Sequence, residues 1–143
     1  MTVKQALKAK NKLVVSIMEC YSLAKEYNSI EEGNPRRYSV VGLLNEANEL
    51  TRELVELKAK IHKANAPVYD KIFLMAELKG RVKFLKSIPV DEGKSSDRYG
   101  LSSGSVKEVE LNVAERNAMI KGLETEIEEL QEQLDLHNAT TTI

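Results

Sequence analysis

"LLNEANELTRELVELKAKIHKA", residues 43–64, decides the fold. Apolar residues recur at Leu43, Ala47, Leu50, Leu54, Leu57, Ile61 and Ala64, alternately four and three positions apart. That interval keeps one ridge on one side of an α-helix, whereas a half-buried strand alternates every second residue. Sustained without a break, it is the seam of a coiled coil or helix pair. Charge fills the gaps, with an attractive i,i+4 pair at Glu56 and Lys60 and a repulsive one at Glu49 and Glu53. Ser39 is placed to cap the start. Asn65, which tolerates the left-handed conformation, and Pro67, which cannot continue a helix, close it.

Three further segments follow the same rule. Thr2-Val3-Lys4-Gln5 has the form of a capping box and opens a helix with Ala6, Leu13, Ile17, Cys20, Ala24 and Tyr27 on one face. Leu7, Val14, Met18 and Tyr21 widen that stripe. Met75, Leu78, Val82 and Leu85 mark a third helix, weakened at Gly80 by about 1 kcal/mol relative to alanine. A fourth starts at Asn112-Val113-Ala114-Glu115, also a capping box in form. It carries one heptad column at Val113, Ile120, Ile127 and Leu134 and a second at Leu123 and Leu130. The expected spans are about 2–28, 39–65, 68–88 and 112–138. Asn138 is expected to end the last helix, and 89–111 forms an irregular insert rich in Gly, Ser and charge. Val109, Leu111 and Val113 alternate with polar residues and read as a short strand, paired with 98–105 or with another subunit. The expected fold is all-α, a single helical domain of antiparallel long-helix hairpins in a four-helix, coiled-coil-like bundle, with a small β element near residues 98–113.

Composition agrees. The 143 residues include no Trp, two Phe and five Tyr, and 30% are charged, which favours long helices over a sandwich or a doubly wound sheet. A net charge of −1 indicates no bulk attraction to nucleic acid. The charge is uneven: residues 1–28 hold five lysines against two glutamates, and residues 120–136 hold one lysine against six acids. This reads either as two solvated faces or as first and last helices lying side by side, within a chain or between chains. No run approaches the roughly 20 apolar residues of a membrane span. "LVVSIM" is too short for a secretory core. Cys20, the sole cysteine, reads as a buried small hydrophobe in a reducing compartment, so a cytoplasmic location is expected.

Two helix ends share a signature. Ile61 and Leu134 are each followed four residues later by Asn-Ala, at Asn65-Ala66 and Asn138-Ala139. A common helix-ending rule accounts for this, and duplication of a helical hairpin is the alternative. His62 and His137 fall near those ends, where imidazolium suits the helix dipole.

Loop residues carry a resemblance. "SIEEGNP" after the first helix, Asp97-Arg98-Tyr99, Leu111-Asn112-Val113 and the closing Asn138-Ala139-Thr140-Thr141 occur in an order similar to the septicolysin-like family of small bacterial and phage proteins. That family carries "EGEEP", Asp-Arg-Tyr, "VDV" and "NWTT" at these places, so alanine stands here where the family has tryptophan. The resemblance implies a helical core with a small β element and no known activity. Chemistry-bearing motifs are few: the histidines have no partners at metal-ligand spacing, and no phosphate loop is present. No catalysis, metal or cofactor is expected. The strongest binding candidates are the Arg-Tyr turns, with Arg36, Arg37 and Arg98 suited to bidentate anion contacts and Tyr38 and Tyr99 to stacking. The expected function is a non-enzymatic homo-oligomeric scaffold or interaction protein. The alternative is sequestration of a small anionic ligand, such as a signalling nucleotide, between subunits, and the phage members of the family suggest a counter-defence role for it.

Overall fold

The computed structural model describes residues 1–94 and 105–143. In chain order they form α1 (Val3–Tyr27), α2 (Val40–Ala64), a 3₁₀ turn (Ala66–Val68), α3 (Tyr69–Ser87), β1 (Gly93–Lys94), β2 (Val106–Lys107) and α4 (Val113–Thr140). The fold is all-α, with α1·α2 and α3·α4 packed as antiparallel pairs. The chain divides into two compact units, Met1–Tyr69 with Asp135–Ile143, and Asp70–Leu134.

The helices begin where the sequence supplies caps. In α1 the Gln5 amide donates to Thr2 Oγ1 at 3.2 Å and the Thr2 amide to Gln5 Oε1 at 2.9 Å, closing the capping box. Ser39 Oγ accepts from the Gly42 amide at 3.1 Å at the start of α2. Asn112 Oδ1 accepts from the Glu115 amide at 2.8 Å at the start of α4. Each bond satisfies a first-turn amide that has no partner within the helix.

In the first unit Val3, Ala6, Ile17, Cys20 and Ala24 of α1 are buried, with Ala47 and Ile61 of α2. The other seam positions, Leu43, Leu50, Leu54, Leu57 and Ala64, are half-buried. A pair of helices covers only the line where they touch, so the edges of a wide seam stay partly open. In the second unit Leu78 and Val82 of α3 are buried, as are Ile120 and Leu130 of α4. Arg116 Nη1 donates to Ile88 O at 3.0 Å, and the exposed Lys86–Glu124 ion pair at 3.6 Å adds little.

The β element is smaller than expected and displaced. Gly93 pairs with Lys107 and Lys94 with Val106, antiparallel, and Val109 to Val113 form no strand. The Asn112 cap takes Val113 into the helix, so a first helical turn wins over a short alternation. The turn into β1 uses Gly93 at φ +88, open to glycine without steric cost.

Two helix ends also differ from expectation. Asn65 is right-handed, at φ −84 and ψ −5. With Pro67 next in line, the chain tightens into a 3₁₀ turn in which the Val68 amide donates to Asn65 O at 2.9 Å, and no left-handed cap is needed. Asn138 does not end α4. The helix runs two residues further, to Thr140, and the Thr141 amide still donates to His137 O at 2.9 Å.

The ends of α2 and α4 meet. His137 Nε2 donates to Asn65 Oδ1 at 3.2 Å across 72 residues of sequence, and His137 Nδ1 lies 3.1 Å from Thr141 Oγ1. His62 Nδ1 is bonded to the Tyr69 hydroxyl, which also donates to His62 O at 2.9 Å. Beside this cluster the Val3 amide donates to Thr141 O at 2.9 Å, and Thr2 and Thr142 form a β-bridge.

Candidate functional site

The link between α1 and α2 builds an arginine-tyrosine corner. Arg36 folds back over the end of α1, its Nη1 donating to Tyr27 O at 2.8 Å and Asn28 O at 3.0 Å and its Nη2 to Asn28 O at 3.0 Å. A cation thus meets carbonyls at the negative end of the helix dipole. The Tyr38 ring lies 4.9 Å from the Tyr27 ring, inclined at 56°, and Arg37 sits over Tyr38 with its guanidinium carbon 5.8 Å from the ring centre. Arg36, Arg37 and Tyr38 are therefore one cluster. Within it Arg36 serves the helix end, while Arg37 and Tyr38 face outward or half-outward. Arg98 and Tyr99 lie outside the described residues.

A second feature covers more of the first unit. Val14, Met18 and Tyr21 are displaced by one residue, about 100° around the axis, from the buried row Ile17, Cys20 and Ala24. Leu44, Thr51 and Val55 are displaced in the same sense from Leu43, Leu50 and Leu54. Because α1 and α2 run antiparallel, equal displacements toward the C-terminus turn both rows to the same side of the pair. The result is one continuous apolar face. Met18 is 66% exposed, Tyr21 49%, Val41 70%, Leu44 43% and Val55 60%, and it is their contiguity that sets them apart from apolar residues exposed singly. The charges bordering its central part are basic, Lys25 on α1 and Arg52 and Lys58 on α2, while Lys4 and Lys8 share a groove with Asp135 and Glu26 stands on the outer flank of α1.

The opposite side of the pair has a different character. Lys12, Ser16 and Glu53 line an open groove there of about 390 Å³, and Glu46 and Glu19 stand close enough to act on Cys20. Burial pushes the Cys20 thiol above its ordinary range and the two carboxylates push the same way, which opposes thiolate formation. Among the described residues no group of three His, Cys, Asp or Glu side chains is arranged to hold a metal ion, and no helix is long and apolar enough to cross a membrane.

Sequence reading found Leu7, Val14, Met18 and Tyr21 as a widened stripe but not their continuation on α2. The signal was present as a second row, Val41, Leu44, Thr51 and Val55, one step from the heptad seam. Its meaning depends on the antiparallel pairing that aligns the two rows. Compared with known proteins, the chain matches no family model, no curated protein and no solved structure.

Proposed function

We propose that this chain is a non-enzymatic helical interaction protein that self-associates through its α1–α2 pair, of the kind its loops resemble in the septicolysin-like family. The observation that carries this reading is the exposed apolar face at Met18, Tyr21, Leu44 and Val55, with Val14 half-buried at its edge, which lies on one side of the helix pair and opposite an acidic side. Leaving such a face in water costs about 25 cal/mol per Å² of apolar surface, and covering it with a second chain recovers that free energy. Light scattering on a sizing column tests the reading. Wild-type protein is expected to exceed the 16.1 kDa of one chain, and Met18→Ser with Leu44→Ser to return to that mass while keeping its helical circular dichroism. A wild-type mass of one chain at every concentration contradicts it.

Anion sequestration is a second reading, supported among the described residues by the outward Arg37 stacked on Tyr38. Thermal-shift measurements against a nucleotide panel test it. A shift abolished by Arg37→Ala supports it, and the absence of any shift with any nucleotide removes it.

A further inference from the structure

The self-association just proposed leaves open which surface of the second copy covers the α1–α2 face. Around Met18, Tyr21, Leu44 and Val55 the bordering charges are Lys25, Arg52 and Lys58. Two such faces laid against each other would oppose like charges, which is destabilising. The second unit offers the complement. On α3 and α4 the residues displaced one step toward the N-terminus from the buried rows share a side, since these helices are also antiparallel. An open groove of about 370 Å³ lined by Arg81, Ala118, Met119 and Gly122 marks that side, and the Lys86–Glu124 pair marks the other. Leu74, Phe84 and Met119 stand exposed there, at 43%, 64% and 52%. The carboxylates of Glu77, Glu126 and Glu129 lie on the same side with one cation, Arg81.

We infer that the basic-bordered face of α1–α2 docks on the acid-bordered face of α3–α4 of a second copy. The inference rests on the self-association reading and adds the partner surface and its charge code. The 25-residue helices of α1–α2 and the 19-residue α3 share a length of about 28 Å, and a pair of helices is about 20 Å wide, giving a footprint of about 570 Å² per partner. That falls at the low end of specific interfaces and suits a concentration-dependent association. Apolar side chains meet at the centre, and opposite charges meet at the edge, where they set partner choice.

Charge exchange between full-length chains tests this. One variant carries Lys25→Glu and Arg52→Glu, the other Glu126→Lys and Glu129→Lys; all four positions are exposed on helices. Each variant alone is expected to dimerise about 100-fold more weakly than wild type. An equimolar mixture of the two is expected to regain the dimer, because each reversed face then meets a reversed partner. Lys25→Glu with Lys58→Glu serves as the basic-side variant if the first loses helical signal. Variants that dimerise like wild type, or a mixture that stays monomeric, overturn the inference while a wild-type dimer leaves self-association standing. A monomeric wild type overturns both.

Discussion

Arg36 separates a structural arginine from a binding one, so its replacement is informative. In Arg36→Ala three N–H···O contacts of 2.8, 3.0 and 3.0 Å to the last carbonyls of α1 are lost. A hydrogen bond from a charged donor contributes about 1.5–3 kcal/mol where it is well shielded, and exposure at this corner reduces the set to about 1 kcal/mol in total. Placing the cation at the helix C-terminus adds about 0.3–1 kcal/mol. The expected loss is therefore about 1–2 kcal/mol. With an m-value of about 1.5 kcal/mol/M, that moves the urea midpoint down by about 1 M. Arg37→Ala removes an exposed cation–π contact at 5.8 Å and is expected to cost about 0.5 kcal/mol. Arg36→Lys, which keeps the charge and loses the planar fork, falls between them. Circular dichroism at 222 nm against urea reads all three. An Arg36→Ala midpoint no lower than that of Arg37→Ala refutes the cap assignment and returns Arg36 to the pool of ligand-binding candidates.

Other expected outcomes follow from burial and pairing. Ala47 is fully buried where α1 and α2 approach, so Ala47→Leu is expected to cost about 1–3 kcal/mol by overpacking, while Asn45→Leu on the exposed side of α2 stays within about 0.5 kcal/mol, both read by urea denaturation. A double-mutant cycle of Asn65→Ala and His137→Ala is expected to show a coupling of about 0.5–1.5 kcal/mol through their shared hydrogen bond, and strict additivity would contradict that contact. Cys20, buried and with its thiol held above the ordinary range, is expected to resist alkylation near pH 8 until denaturant is added; native-state labelling at the rate of a free thiol contradicts its placement.

What could be read from the sequence was local. The caps at Thr2, Ser39 and Asn112 each bond to a residue three positions away, and the heptad rows repeat within a helix, so helix positions emerged to within about two residues. What depended on distant parts of the chain did not emerge. Val109 to Val113 alternates like a strand, yet the residue that pairs with Lys107 is Gly93, across the insert, and the cap at Asn112 claims Val113. Arg36 looked like an anion ligand because its turn is rich in Arg and Tyr; only the folding of that turn over α1 reveals the carbonyls it serves. The two Asn-Ala signatures read as one way of ending a helix, yet Asn65 is the C-cap of α2 while Asn138 stays inside α4. Of the five candidate site residues, three fall in one corner, and the apolar face became visible only when both helices were placed.

In the proposed self-association the face bearing Met18 and Tyr21 is covered by another copy of the chain. Hydroxyl-radical footprinting tests it residue by residue as protein concentration rises from about 1 to about 100 μM, since mass action fills a self-association interface over such a range. Protection of Met18 and Tyr21 at the high concentration, with Val15 on the outer flank of α1 still labelled, is the predicted result. Equal labelling of Met18 and Tyr21 at both ends of the range contradicts it.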